Sequence, residues 1–240
     1  MRNMKPVISV CIPFDRPLEV DFVIHTLIPL YEAKAKSDLI NTLKPQFWDN
    51  YEVLELLEEA NPLKSFRLWL GRFLMDNMPF LTASRNRLAD TALNRGADYI
   101  YWLDIDEVQR QPYSPVDGLR ILLETALRED ADMVSGVYLK KEDELCVFRW
   151  DGELTESIKL SEIPPEGLEV DAVGFGCLLM NTRVLNLVEF PWFVANTDTD
   201  YPEDIGFCKR AGEAGARIWV RGDVRFGHIK KRELTVEDEV

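Results

Sequence analysis

Two aspartates with one residue between them, Asp104 and Asp106, have the spacing that points most directly to chemistry. They follow the apolar run 99–103, which predicts a buried strand, and open α/β sheets bind ligands beyond the carboxyl ends of their strands. In an extended segment, residues two apart face the same side, so both carboxylates can converge on one ligand. A divalent cation bound to a diphosphate suits such a pair, because Mg²⁺ and Mn²⁺ favour oxygen ligands. The alternative interpretation is an aspartate that caps the turn after the strand.

A second acidic pair and a histidine near the end of the sequence are further candidates. Glu203 lies three residues after Asp200, which is the spacing of a capping box, so it is predicted to close the N-terminus of a helix. Asp204, one residue later, then points elsewhere. His228 follows a predicted strand and stands out in a sequence with two histidines. The other one, His25, lies in a predicted helix, where a structural role is expected.

The elements that must position these residues alternate between strand and helix over the first 139 residues. The patterns predict a strand at 7–12, a helix at 18–43, a helix from Thr82 or Ser84 to Gly96, a strand at 99–103, a helix opened by Ser114 and Pro115, and a strand at 132–138. A further strand is left open between 51–56 and 66–70. This alternation indicates parallel strands joined by helical crossovers.

The pattern changes after residue 139. It predicts a hairpin between strands at 146–150 and 157–160, a bent strand at 170–180, a helix at 202–215, and two short strands at 218–220 and 224–226. The predicted fold class is therefore α/β, with a mixed, mostly parallel sheet flanked by helices and a smaller antiparallel element.

Composition excludes several classes of partner. The sequence has 28 basic and 42 acidic residues, a net charge of −14, which repels nucleic acid and anionic lipid head groups. No apolar stretch approaches the ~20 residues of a membrane span. The four cysteines are scattered, which is typical of free thiols in a reducing compartment. We expect a cytoplasmic protein with neither a nucleic acid partner nor an integral membrane segment.

Several blocks of the sequence resemble family 2-like glycosyltransferases of the Rossmann-like GT-A fold. The blocks are 83–90 (ASRNRLAD), 96–106 (GADYIYWLDID), 134–138 (VSGVY), 170–177 (VDAVGFGC), 201–211 (YPEDIGFCKRA) and 224–228 (VRFGH). The resemblance covers residues 81–229, and residues 7–16 more loosely. It implies one GT-A domain with a nucleotide-sugar half at 1–139, an acceptor and catalytic half at 140–229, and a polar tail at 230–240.

The resemblance also implies roles for individual residues. Asp106 matches the ligand of Mn²⁺ or Mg²⁺, Asp104 the residue that faces the donor ribose or reaches the metal through water, and His228 a histidine near the metal or diphosphate. Asp204 matches the general base. The remaining matches are Pro13, Asp15, Arg16, Arg85 and Asn86 on the donor side, and Gly174, Gly176 and Glu203 on the acceptor side. The implied reaction moves a sugar from a UDP- or GDP-linked donor to a glycan, lipid-linked or other hydroxyl, with inversion.

Two departures from the family pattern leave the donor base open. Phe14 follows Pro13, where family members commonly carry threonine, and the aspartate pair that often follows the second strand is missing. One rival function is a sugar-phosphate nucleotidyltransferase, although the glycine-rich loop of those enzymes is absent from 14–19. The other rival is a catalytically inactive sugar-binding domain of the same fold.

Overall fold

The computed structural model describes residues 7–11, 52–55, 79–104, 106–110, 112–141, 144–150, 154–194 and 201–229. In chain order the strands are β1 (Val7–Cys11), β2 (Glu52–Glu55), β3 (Tyr99–Leu103), β4 (Glu107–Gln109), β5 (Met133–Val137), β6 (Leu139–Lys141), β7 (Glu144–Leu145), β8 (Val147–Trp150), β9 (Leu154–Ser157), β10 (Leu168–Val170), β11 (Ala172–Val173), β12 (Cys177–Asn181) and β13 (Ile218–His228). The α-helices are α1 (Pro79–Asn94), α2 (Pro115–Glu129) and α3 (Glu203–Glu213), and short 3₁₀ segments lie at Leu160–Glu162 and Thr182–Asn186.

A mixed sheet of eight strands forms the centre of the described structure. Its order is β10-β13-β5-β12-β3-β1-β2, and β4 pairs with the far end of β13. Strands β1, β2, β3, β5 and β13 run in one direction, whereas β4, β10 and β12 run against it. The predicted mixed sheet flanked by helices is therefore confirmed, although only three of its seven strand pairings are parallel and four are antiparallel. Smaller antiparallel sheets are formed by β11-β8-β9 and by β6-β7.

Alternation along β3 assigns its side chains to two hydrophobic cores. Ile100 and Trp102 belong to the core that also receives residues of α1 and α3, whereas Tyr101 and Leu103 belong to the core that receives α2. Helix α2 begins after Ser114, whose hydroxyl accepts a hydrogen bond from the Asp117 amide at 3.2 Å. None of the helices in the described ranges is long and apolar enough to cross a membrane.

Three sequence-based boundaries are wrong in informative ways. The segment 170–180 is divided among β10, β11 and β12, which belong to two sheets: the first break falls at Asp171, and the second contains Gly174 and Gly176. The two strands expected at 218–226 form the single strand β13, with a register irregularity between Val220 and Arg225. Strand β9 occupies Leu154–Ser157 instead of 157–160, and a 3₁₀ segment follows.

Other predictions are resolved by the pairing of β1. Strand β2, inside the candidate 51–56, lies parallel to β1, while 66–70 and the helix at 18–43 fall outside the described residues.

Helix α1 begins at Pro79, earlier than predicted, so Thr82 and Ser84 lie within it and are buried. Gly96 has a φ of 75°, which a glycine adopts without strain just after a helix.

Candidate metal and carboxylate site

The segment between β3 and β4 carries the aspartate pair, at the carboxyl end of β3. The Asp104 amide donates to the Gly176 carbonyl at 3.1 Å, and the Glu107 amide donates to the Asp104 carbonyl at 3.1 Å. The second of these bonds closes a turn, so Asp104 and Asp106 are not in the extended conformation expected from the sequence. The turn sends the two carboxylates to different partners and reverses the backbone into β4.

Asp106, Glu107 and His228 form a compact group of metal-ligating side chains. Strand β4 pairs with the end of β13, and this register places Glu107 directly opposite His228. His228 Nε2 lies 3.6 Å from Asp106 Oδ2, and His228 Nδ1 lies 3.6 Å from Glu107 Oε1. One ligand atom from each residue lies within 4.8 Å of the others, so the three can reach a single cation.

The chemistry of this group suits a divalent cation. His228 Nδ1 lies 3.0 Å from the Leu139 carbonyl oxygen, which can only accept a hydrogen bond. A proton is therefore assigned to Nδ1, and Nε2 is the ring nitrogen on the side of Asp106 that is available to a cation. Mn²⁺ binds both carboxylate oxygen and imidazole nitrogen, so all three residues can be its ligands. Mg²⁺ prefers oxygen and would be coordinated mainly by the two carboxylates. These residues fit the metal implied by the sequence resemblance.

A second cluster is organised around Arg85, which is 2% exposed. Its Nη1 donates to Glu203 Oε1 in a very short contact, and its Nη2 lies 3.3 Å from Asp104 Oδ1. The guanidinium carbon lies 5.2 Å from the centroid of the Phe175 ring. Arg85 therefore joins the carboxylate at the end of β3 to the one at the start of α3.

The carboxylate of Asp204 lies close enough to Arg85 and Glu203 to feel the charge of both. Loss of hydration raises its pKa to about 6; Arg85 lowers this pKa, and Glu203 raises it. Asp204 Oδ1 accepts a hydrogen bond from the Ile205 amide at 2.7 Å. Burial also raises the pKa of Asp104, and the adjacent Arg85 opposes that rise. Asp204 thus combines a fixed position with a pKa close to neutral pH, which suits a general base.

Glu203 does not act as the capping residue expected from the sequence. It is the first residue of α3, its N-cap is Pro202, and no side chain makes the cap hydrogen bond. Asp200, the expected partner, lies outside the described residues. The carboxylate of Glu203 is 12% exposed and is directed to Arg85. The capping-box interpretation is therefore wrong, because the ion pair takes the Glu203 side chain away from the helix terminus.

Gly174 and Gly176 pack against the side chain of Tyr138. The Gly176 amide donates to Tyr138 Oη at 3.1 Å, and a Cβ at Gly176 would lie 2.9 Å from both Tyr138 Cζ and Glu107 Cγ. A Cβ at Gly174 would collide with the Tyr138 hydroxyl and with Cys146 Sγ. The Tyr138 ring lies 6.4 Å from that of His228, in an edge-to-face arrangement. These contacts give both glycines a packing reason, and their acceptor-side role stays a prediction.

The remaining predicted donor residues divide into two groups. Asn86 is bonded to protein: its Nδ2 donates to the carbonyls of Thr82 and Phe193 at 2.9 and 2.7 Å, and its Oδ1 accepts from the Phe193 amide at 3.1 Å. These contacts give Asn86 a role in positioning the Phe193 segment, and its contact with a nucleotide stays a prediction. The second group, Pro13, Asp15 and Arg16, lies outside the described residues.

Sequence reasoning missed Glu107 and Tyr138. Glu107 is 1% exposed and directly follows Asp106, so a third acidic residue just after the apolar run of β3 was the available signal. Nothing in the local pattern marked Tyr138, because its position against the two glycines depends on the pairing of β12 with β5.

Comparisons with known proteins support the fold. No protein-family model and no curated protein matches the sequence. Among solved structures, the chain is similar to A197 from STIV, with 19% identity and a TM-score of 0.53 over 94% of this chain and 86% of that one. It is also similar to GalNAc-T7, solved with UDP, GalNAc and Mn²⁺, with 12% identity and a TM-score of 0.52. That match covers 97% of this chain and 45% of the GalNAc-T7 chain, so this chain spans less than half of that protein. At these identities the likeness concerns the fold alone, and the fold is GT-A-like.

Proposed function

We propose that this protein is a metal-dependent glycosyltransferase, which moves a sugar from a UDP- or GDP-linked donor to an acceptor hydroxyl with inversion. The observation that carries the proposal is the group Asp106, Glu107 and His228, whose ligand atoms lie within 4.8 Å of one another beside the sheet edge. The likeness to GalNAc-T7, whose structure contains UDP, GalNAc and Mn²⁺, supports the same class of reaction.

In this proposal Asp106, Glu107 and His228 hold the cation near the donor diphosphate. A bound Mn²⁺ or Mg²⁺ supplies positive charge that stabilises the departing nucleotide diphosphate. The Leu139 carbonyl keeps the His228 proton on Nδ1, so Nε2 faces Asp106 as a neutral ligand. Asp104 serves the donor ribose, and Pro13, Asp15 and Arg16 are proposed to complete the donor side.

Asp204 acts on the acceptor in this mechanism. An acceptor hydroxyl is a weak nucleophile until its proton is removed in the transition state. With a pKa of about 6, the Asp204 carboxylate is ionised at pH 7 and still basic enough to take that proton. Gly174 and Gly176 are proposed to leave room for the acceptor. Arg85 holds Asp104 and Glu203 in place. Its proposed role is therefore to position these carboxylates, and not to contact the diphosphate.

The test is metal-dependent binding of nucleotide, followed through the melting temperature. UDP or GDP at about 100 times its Kd should stabilise the protein by about 2.7 kcal/mol when Mn²⁺ is present, and much less with EDTA. Asp106→Ala should abolish the metal-dependent part and leave the melting temperature without ligand nearly unchanged. Asp90→Ala, an exposed aspartate on α1, is the matched control and should behave as wild type.

Three outcomes would contradict the proposal. Asp106→Ala that still binds UDP or GDP in a manganese-dependent manner would refute the metal assignment. Nucleotide binding without release of UDP or GDP from any nucleotide-hexose would favour an inactive sugar-binding domain. Formation of pyrophosphate from UTP and a hexose 1-phosphate would instead identify a nucleotidyltransferase.

A further inference from the structure

A cavity lies away from the metal and carboxylate site. Its volume is about 630 Å³, within the range of about 300–1,000 Å³ typical of ligand pockets. Its walls come from the end of β8, from β10, from the second half of α3 and from the start of β13. Helix α3 begins at Glu203 beside Arg85 and ends at Glu213 in the cavity wall, a length of about 15 Å. The cavity lining includes none of the residues of the metal and carboxylate site, which are Arg85, Asp104, Asp106, Glu107, Glu203, Asp204 and His228.

The wall contains one aromatic ring that faces the cavity. Trp150 is half-buried and lines it together with Lys209, whose ammonium lies 5.2 Å from the centroid of the Trp150 ring. Tyr201 meets the same ring edge-to-face at 5.5 Å. Trp150 also packs against the main hydrophobic core, and the group that lies over its ring on the cavity side, Lys209, is 44% exposed. A ligand that displaces Lys209 gains the flat apolar face.

The charged side chains of the wall are two basic and three acidic ones: Arg149, Lys209, Glu169, Asp171 and Glu213. Two of the acidic ones are held in ion pairs. Lys209 Nζ lies 2.9 Å from Glu213 Oε1, and Arg217 Nη2 lies 2.9 Å from Glu169 Oε2. Asp171 Oδ2 accepts a hydrogen bond from the Trp150 amide at 2.8 Å. Donors and acceptors thus stand close together with little excess charge. Such a wall disfavours a strongly ionic ligand and suits one that offers many hydroxyl groups.

We infer that this cavity is a binding site for a neutral oligosaccharide, separate from the reacting centre. A pyranose ring has an apolar face of C–H groups that stacks on an aromatic ring, and its equatorial hydroxyls bond to the carboxylate and cationic groups around that ring. Trp150 with Glu213, Asp171 and Lys209 provides this combination in a cavity large enough for more than one sugar unit. The inference is independent of the proposed transferase reaction, because binding there requires neither metal nor nucleotide.

The experiment measures binding of defined trisaccharides to the full chain in EDTA and without nucleotide. The probes are maltotriose, cellotriose, mannotriose and N,N′,N″-triacetylchitotriose, followed by saturation-transfer NMR and titration calorimetry. Gly212→Leu is the blocking variant, because Gly212 lines the cavity and nothing lies within 4 Å of a Cβ built there. Gly212→Ala is its control, since it adds a methyl group and leaves most of the volume open.

A second pair of variants tests the aromatic face. Trp150→Ala removes the ring from the wall. Trp219→Phe is the control, because Trp219 packs on the opposite face of β13 from Ile218, which lines the cavity. We expect at least one trisaccharide to bind, Gly212→Leu and Trp150→Ala to weaken it by ~10-fold or more, and both controls to bind as wild type. The melting temperature of each variant confirms that it is folded.

Three results would overturn the inference. The first is that none of the four trisaccharides binds. The second is that binding survives in folded Gly212→Leu and Trp150→Ala, so that it occurs elsewhere. The third is competition by UDP with Mn²⁺, which would place the sugar at the reacting centre. Because nucleotide binding and donor turnover are measured separately, failure here is distinguishable from failure of the proposed transferase.

Discussion

At the residue scale, one buried cation sets the properties of three carboxylates. Arg85 bonds Asp104 and Glu203 directly, and its charge lowers the pKa of Asp204, which burial raises. Without the cation, these acidic groups would repel one another, and the pKa of Asp104 and of Asp204 would rise further. The pKa of about 6 at Asp204 thus reflects burial, which raises it, opposed by Arg85, which lowers it.

Asp204→Asn should separate catalysis from binding and stability. It cannot accept the acceptor proton, so turnover should fall by ~10²–10⁴-fold while nucleotide affinity is kept. Wild-type turnover should fall as pH drops through about 6, and the variant should lack this limb. The pKa of Asp204 is raised from 3.8 in the folded state, so the free energy of unfolding falls as pH rises from about 4 to 6. The variant should thus be more stable than wild type at pH 7.5, by about 1–2 kcal/mol, and gain little at pH 4.

Glu203→Gln is the matched comparison for this prediction. It weakens the ion pair to Arg85, so it should cost about 1–3 kcal/mol of stability, more than the loss of a helix cap would explain. Because Glu203 raises the pKa of Asp204, the acid limb of the turnover profile should move to lower pH. The two roles are reversed if Glu203→Gln abolishes transfer while Asp204→Asn retains it. Melting curves and rate profiles across pH 4–9 decide between these outcomes.

At the element scale, the approach of β12 and the segment before it to β5 shapes the site. The two glycines between β11 and β12 let the backbone approach Tyr138, whose ring in turn lies against His228. Strand β13 continues past its irregularity to pair with β4, which places His228 opposite Glu107. Two short strands, as the sequence suggested, would have left the position of His228 undefined.

Gly174→Ala should damage both stability and the metal site. The added Cβ collides with the Tyr138 hydroxyl and Cys146 Sγ, and overpacking of this kind costs about 1–3 kcal/mol. Displacement of Tyr138 should also weaken Mn²⁺-dependent nucleotide binding, measured by calorimetry. Gly206→Ala, in α3 with nothing within 4 Å of its Cβ, is the control and should be neutral or slightly stabilising. A wild-type melting temperature for Gly174→Ala would refute this packing argument.

At the scale of the whole molecule, the residues proposed to hold the metal and the residue proposed as the base lie on different elements. Asp106 lies in the turn before β4, Glu107 in β4 and His228 at the end of β13. Asp204 lies at the start of α3. Its neighbour Glu203 is joined to Asp104 by Arg85 from α1. A donor held at one group and an acceptor activated at the other would meet at a single reacting carbon.

This arrangement predicts inversion at the anomeric carbon. One carboxylate acting as a base on the acceptor gives a single displacement, in which the acceptor oxygen attacks as the nucleotide diphosphate leaves from the opposite face. Transfer from an α-linked UDP- or GDP-hexose should therefore yield a β-linked product, identified by the anomeric coupling constant in NMR of a gluco- or galacto-configured sugar. A product that keeps the α configuration would contradict the single-displacement mechanism.

The sequence alone was sufficient wherever the signal is local. The apolar run of β3, the Ser114 cap of α2 and the alternation of helices with strands over residues 79–137 depend on neighbouring residues, and the structure agrees with them. The acidic residues after β3 were identifiable for the same reason. A resemblance between short blocks then predicted the GT-A-like fold, which the structural comparison supports.

Tertiary structure alone decided how those residues are paired. Asp104 and Asp106 diverge because a backbone hydrogen bond closes a turn between β3 and β4, and Glu107 joins the metal group because β4 pairs with a strand more than 100 residues away in sequence. Arg85 and Glu203 are 118 residues apart, so neither sequence context could reveal their ion pair. The cavity beside Trp150 likewise depends on how residues of β8, β10, α3 and β13, distant in sequence, come together. Secondary structure follows from short-range periodicity, whereas a site is assembled by contacts between distant segments that only the folded chain brings together.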